Sequence, residues 1–113
     1  MVEIYYGNSK ELYFTRKDID GETIWDVPPE MAFTVRRKYA GNIVFKKLLT
    51  GGDFIQEADG SWHLYINPQD TRNIPAPLKR EVCVCDVRVY DADGNEYTII
   101  KPDDFVILPV ATE

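Results

Sequence analysis

This sequence of 113 residues has few of the side chains on which catalytic and metal sites most often depend. It contains one histidine, His63, and two cysteines, Cys83 and Cys85. A structural zinc site takes four ligands, more than one Cys-x-Cys pair and a single histidine supply. His63 has no serine, cysteine or aspartate at a spacing typical of a catalytic triad. We therefore expect no catalytic residues, no metal and no cofactor.

Long apolar runs are also missing. No stretch approaches the roughly 18 apolar residues that a membrane span requires. The first residues, Met-Val-Glu-Ile-Tyr-Tyr-Gly, lack the basic region and apolar run of a secretion signal. We expect no membrane contact, and a protein that is made and used, or assembled, in the cytoplasm.

The charge is acidic overall but unevenly distributed. The net charge is −6, yet residues 31–50 carry five cations and no acid, so the rest of the chain carries −11. An acidic protein binds nucleic acid poorly, because neutralising phosphates requires clustered cations. We expect no nucleic-acid partner, and residues 31–50 are the exception that needs an explanation.

The two cysteines occur as Cys83-Val-Cys85. In an extended strand, residues two apart point the same way, with Cα atoms roughly 6.5–7 Å apart, at or beyond the limit for a disulfide. This spacing favours two reduced thiols that pack in a core as small hydrophobes.

The stretch from residue 61 to residue 94 predicts the architecture. Trp62, Leu64 and Ile66 alternate with polar-facing residues, which is the period of a half-buried strand. A proline-rich segment follows, with room for one helical turn at 67–73, and then a long strand in which Cys83, Cys85, Val87 and Val89 share one face. Two strands joined by a proline-rich connection, rather than by a tight turn, indicate that the chain crosses from one sheet to the other.

The remaining sequence consists of short alternating runs separated by turn signals such as Asp-Gly and Pro-Pro. This pattern predicts a single all-β domain over residues 1–113, an immunoglobulin-like antiparallel β-sandwich of about seven to nine short strands. The predicted strands are 2–6, 12–15, 31–36, 43–48, 54–57, 62–66, 82–90, 96–101 and 105–110, with a weak strand or loop at 23–27, a turn at 40–42 and an interruption at 102–104. The predicted core is Phe14, Phe33, Val35, Phe45, Trp62, Leu64, Ile66, Cys85, Val87, Ile99, Phe105 and Ile107, and Ile43 is expected to point inward.

Two groups of residues permit a ligand-binding interpretation. The acidic loop around Asp91 and Asp93 resembles part of a calcium loop but lacks the bidentate glutamate, so these residues are expected to shape a turn. Exposed aromatic residues could form a platform on which a sugar stacks, or they could cover sheet faces and fill an interface. The candidates are Tyr5, Tyr13, Tyr65, Tyr90 and Trp62.

Several of these segments together resemble a known family. They are the strand Phe33-Thr-Val-Arg-Arg37, the turn Pro68-Gln-Asp70-Thr71, the strand containing Asp86-Val87, and the tail from Tyr97-Thr98-Ile99 to Phe105-Val-Ile-Leu-Pro-Val. The chain is similar, from about residue 10 to residue 110, to small β-sandwich domains of phage and prophage tail proteins, such as those near the N-terminus of upper baseplate proteins. It departs from them at Cys83 and Cys85, where the family has tyrosines, and at Pro75-Ala-Pro77.

The resemblance implies a building block and not an enzyme. It implies a non-enzymatic structural component of a phage or prophage tail or baseplate, present in the bacterial cytoplasm during assembly and then in the virion tail. Its partners would be other tail or baseplate proteins or copies of itself, as a homo-oligomer. The alternative is a carbohydrate- or ligand-binding module that uses the exposed aromatic residues.

The basic segment supplies the candidate interface. It contains Arg36, Arg37, Lys38, Lys46 and Lys47, on a predicted hairpin. One interpretation is a solvated face whose cations have acidic neighbours within the same chain. The other is that this hairpin meets an acidic surface on a neighbouring subunit, in a head-to-tail contact that forms a ring or a tube.

Overall fold

The computed structural model describes residues 1–39 and 41–110, and their regular structure is almost entirely β-strand. The elements are β1 Val2–Tyr5, β2 Lys10–Phe14, β3 Glu30–Arg37, β4 Ile43–Leu48, β5 Phe54–Gln56, β6 Trp62–Ile66, the helical turn α1 Pro68–Thr71, β7 Glu81–Tyr90 and β8 Glu96–Leu108. The predicted all-β class is confirmed. Ala40, in the predicted turn 40–42, and residues 111–113 of the predicted domain lie outside the described residues.

The strands form two sheets that pack as a sandwich. The larger sheet has the order β1-β8-β7-β3-β4 and the smaller has the order β2-β6-β5. This is the strand order of an immunoglobulin-like fold, in which strands B, E and D form one sheet and strands G, F, C and C′ form the other. The proline-rich segment carries the chain from β6 in the small sheet to β7 in the large one, as predicted.

Two expectations about the edge of the large sheet are wrong. First, β1 runs parallel to β8, with Val2 opposite Phe105 and Ile4 opposite Ile107; alternation gives a strand's faces but not its direction. Second, β8 continues through Pro102. The pairing of β7 with β8 shifts register around Asp86, and such a bulge accommodates a proline that cannot donate to the ladder.

One detail of the first half of the chain also differs from expectation. Ile43 is exposed, because the pairing of β3 with β4 shifts register between Val35 and Arg36 and places Ile43 opposite Arg36. Local alternation does not reveal such a register shift. The segment 23–27, predicted as a weak strand or loop, is a loop whose first residue, Thr23, forms an isolated bridge with Lys17.

The core lies between the sheets, as the alternation predicts. Ten of the twelve predicted core residues are buried, and Phe14 and Ile99 are partly buried against them. Phe33, Phe45 and Phe105 form an aromatic cluster, with ring centroids 5.7–6.2 Å apart. Burying three such rings is among the larger contributions available to a core of this size.

The helical turn α1 connects the crossover to the turn between β1 and β2. Pro68 begins it, and the Asp70 carboxylate accepts a hydrogen bond from the Asn67 amide at 2.8 Å. The fully buried Thr71 hydroxyl accepts a hydrogen bond from the Gly7 amide at 2.8 Å. The Pro-Gln-Asp-Thr segment therefore fixes where the chain leaves the small sheet.

Candidate interaction surface

The five predicted interface cations divide between the two faces of the large sheet. Residues paired across neighbouring strands point to the same face, and successive residues point to opposite faces. Phe33, opposite Val87, points into the core together with Arg37, whereas Thr34, opposite Asp86, points outward together with Arg36. Thr34 is also opposite Lys46, so Lys46 lies on the outer face too.

The inward-facing cations are paired within the chain. Arg37 Nε and Nη2 lie 2.8 and 2.5 Å from Glu81 Oε1, at the margin of the core. Lys47 Nζ lies 2.6 Å from Asp70 Oδ2, with side chains only 6% and 14% exposed. Lys47 therefore joins β4 to α1 inside the protein, and it is not accessible to a partner.

The outward-facing cations are more available. Lys38 Nζ lies 3.6 Å from Asp104 Oδ1, and both side chains are well exposed, so this pair contributes little to stability. Among the described residues, neither Arg36 nor Lys46 has a carboxylate within 4.0 Å. The solvated-face interpretation thus describes part of the hairpin, and Arg36 and Lys46 remain as unneutralised charges on one face.

Carboxylates occupy the other half of the same face. Asp86 on β7 and Asp104 on β8 point outward, next to the strand that carries Arg36. Asp86 Oδ2 accepts hydrogen bonds from Arg88, whose Nη2 is 3.0 Å away. Asp86 is only 7% exposed. Its second carboxylate oxygen, Oδ1, is buried and has no hydrogen-bond donor among the described residues. A buried carboxylate oxygen without a donor is costly and calls for an explanation.

The centre of this face is lined by small and apolar side chains. Ala32 and Thr34 on β3 are buried although their register places them on the side away from the core. Val82 and Val84 on β7 are partly exposed beside them. We call the surface formed by the outward residues of β3, β4, β7 and β8 the outer face; it has an apolar centre, a basic side and an acidic side.

The aromatic residues do not form one platform. Trp62 is 2% exposed and packs between the sheets, so its inclusion among the sugar-stacking candidates is wrong. Tyr13 and Tyr65 lie on the outward side of the small sheet, where Tyr65 pairs with Glu11 and Tyr13 with His63. Tyr5 and Tyr90 belong to the large sheet. The two groups are therefore on opposite sides of the sandwich.

His63 lies in an aromatic and acidic setting on the small sheet. Its ring stacks on Tyr13, with centroids 4.6 Å apart and planes within 9°. Glu11 Oε1 and Glu57 Oε1 lie 3.7 and 3.5 Å from its two ring nitrogens. This arrangement holds the imidazole in place and leaves the Tyr13 side chain 60% exposed.

Sequence reasoning missed a cleft at the end of the sandwich where the segment before β3 meets the β7–β8 turn. Its volume is about 280 Å³, and Val27, Pro28, Tyr90 and Tyr97 contribute to its lining. Trp25 in the same loop is 55% exposed. The Pro-Pro pair indicated a loop, but no pattern in the sequence indicated that this loop meets Tyr97.

The cysteines and the acidic loop have structural settings. Cys83 and Cys85 are buried free thiols facing the core, and burial raises the pKa of each to about 11. Asp91 accepts hydrogen bonds from the amides of Asp93 and Asn95, both at 2.9 Å. Its hydrogen bonds from Asn95 lower the pKa of Asp91. The predicted turn role of Asp91 is confirmed.

No family model, curated protein or solved structure matches this chain. In the described part of the chain, no helix is long and apolar enough to cross a membrane.

Proposed function

We propose that this chain is a non-enzymatic structural component of a phage or prophage tail or baseplate, and that it docks to other subunits through the outer face. It assembles in the cytoplasm of the bacterial host and then resides in the virion tail. Its partners are copies of itself or neighbouring tail proteins, without nucleic acid or membrane. The supporting resemblance spans nearly the whole chain.

The observation that carries the docking role is the charge arrangement of the outer face. Among the described residues, neither Arg36 nor Lys46 has a carboxylate within 4.0 Å, and the acids Asp86 and Asp104 lie on the other half of the same face. Opposite charges beside an apolar centre favour a specific partner and a defined register more than they favour tight binding. The Pro-Gln-Asp-Thr segment of the family resemblance has a role within the chain and is not part of the docking surface, because Asp70 and Thr71 stabilise the crossover.

The test is whether the protein is part of a particle. An antibody against the chain is used on particles released from the source bacterium after prophage induction and separated on a density gradient. We expect the protein to sediment with tails, and an Arg36→Glu/Lys46→Glu variant to fail in restoring tail assembly to a deletion strain. A Lys17→Glu/Lys79→Glu variant changes the net charge equally at exposed sites away from the outer face, and it should restore assembly. Absence of the protein from purified particles would refute the proposal.

A carbohydrate-binding module is the second candidate. The observation that favours it is the exposed ring of Tyr13, held flat by His63 on the same surface as Tyr65. Aromatic rings of this kind stack on the apolar faces of sugars. Glycan-array binding that is lost in Tyr13→Ala and kept in Arg36→Glu/Lys46→Glu would favour this candidate over docking through the outer face.

A further inference from the structure

We infer that the partner of the outer face is a second copy of this chain, bound in a symmetric dimer whose two-fold axis runs parallel to the strands between β3 and β7. This inference rests on the proposed docking role and specifies its partner. It differs from the head-to-tail contact expected from the sequence, because the acidic and basic groups lie on one face.

The position of each charge follows from the register. Across the large sheet, one row contains Asp104, Val84 and Arg36, and the next contains Asp86, Thr34 and Lys46. In both rows the acid lies on the β7–β8 side and the cation on the β3–β4 side. These two rows are therefore divided along a line between β7 and β3, parallel to the strands. In the rows beyond them the order is reversed, with Arg88 on β7 and Glu30 on β3, but both side chains have partners within the chain.

This division selects one orientation of the axis. A two-fold axis along the dividing line places β3 of one copy over β7 of the other at the same height, so that cations meet acids. Arg36 then lies over Val84 of the second copy, beside Asp86 and Asp104, and Thr34 lies over Asp86. A two-fold axis perpendicular to the strands would place acids over acids and cations over cations, which is unfavourable.

The dimer does not explain the buried oxygen of Asp86, because Oδ1 is covered by atoms of its own chain and a second copy cannot reach it. The contacts between copies are made by accessible groups, such as Arg36 of one copy and Asp104 of the other.

The size of the face indicates a weak dimer. The four strands of the outer face are about 4.8 Å apart and each contributes about seven residues at about 3.3 Å, so the face spans roughly 450 Å². Two such faces bury roughly 900 Å², slightly less than the roughly 1,000 Å² of a small specific interface, which is the range of weak and transient contacts. Each copy also carries a net charge of −6, which opposes association. The dimer is therefore expected at micromolar concentrations and above.

The test uses complementary charge variants of the full chain. Arg36→Glu/Lys46→Glu replaces the two cations of these rows by acids, and Asp86→Asn/Asp104→Lys removes the two acids. In sedimentation-velocity experiments, we expect the wild type to dimerise and each variant alone to self-associate at least ten-fold more weakly. An equimolar mixture of the two should form a heterodimer, which a loss of folding in either variant cannot mimic. Thermal unfolding shows that each variant is folded, and Lys17→Glu/Lys79→Glu should dimerise like the wild type.

The outcomes separate this inference from the proposed function. A monomeric wild type at every concentration, or a mixture that stays monomeric while both variants are folded, would overturn the dimer. If the Arg36→Glu/Lys46→Glu variant still blocks tail assembly in that case, the outer face docks a different tail protein and the proposed function stands.

Discussion

Replacing Lys47 by methionine should destabilise the protein much more than the same change at its neighbour Lys46. Lys47 Nζ lies 2.6 Å from Asp70 Oδ2 and its side chain is 6% exposed, so the substitution leaves a largely buried carboxylate without its counter-ion. Breaking a buried pair in this way costs about 3–5 kcal/mol. We expect a value near the lower bound, because Asp70 remains 14% exposed and keeps the Asn67 amide. At about 3–5 °C per kcal/mol, the Tm should fall by about 10–15 °C.

The assay is thermal and urea unfolding followed by circular dichroism, with Lys46→Met as the matched control. Lys46 is exposed on the same strand and has no paired carboxylate among the described residues, so its replacement should change stability by less than about 0.5 kcal/mol. In the double variant Lys47→Met/Asp70→Asn the carboxylate is no longer charged, and the loss should be smaller than the sum of the two single losses. Equal effects of Lys47→Met and Lys46→Met would refute the assignment of Lys47 to the interior.

Three further predictions concern the core and the crossover. Trp62→Ala should lower the free energy of unfolding by about 3–5 kcal/mol in a urea titration, because Trp62 is buried between the sheets, and a loss below about 1 kcal/mol would contradict its position. Thr71→Val should cost about 1–3 kcal/mol, because it leaves the Gly7 amide without its acceptor, and unchanged unfolding would show that this hydrogen bond is unimportant. Cys83 and Cys85 should react with a thiol reagent only after denaturation. Burial raises the pKa of each thiol to about 11 in the folded protein, so the thiols of the unfolded chain lose their protons at lower pH than those of the folded protein. The free energy of unfolding should therefore fall as the pH rises from about 9 toward 11. Rapid labelling of the native protein at neutral pH would contradict that burial.

The sequence was sufficient for the fold class and most of the core because alternation reports directly which residues face inward. Phe33, Trp62 and Phe105 could all be placed in this way, and the proline-rich segment after β6 could be recognised as a crossover. The exceptions occur where the pairing between strands, and not the alternation within one strand, determines where a side chain points or where a strand ends. Ile43 turned outward because of a register shift, and β8 passes through Pro102 because of another.

The candidate surface was less predictable for the same physical reason. The clustering of cations in residues 31–50 could be counted, but only the register separates Arg36 and Lys46 on the outer face from Arg37 and Lys47, which are paired internally. The acids beside them come from β7 and β8, forty or more residues later in the chain. No local pattern relates these segments, because their proximity depends on the complete sheet.

The most direct test of the central claim is a dilution series of amide NMR spectra, from high to low micromolar concentration. If the outer face docks a second copy, the signals that shift with concentration belong to its outward residues, including Thr34, Arg36, Val84 and Asp86. Residues on the outward side of the small sheet, such as Tyr13 and Tyr65, should not shift. Spectra that are independent of concentration, or shifts centred on Tyr13 and Tyr65, would contradict self-docking through the outer face.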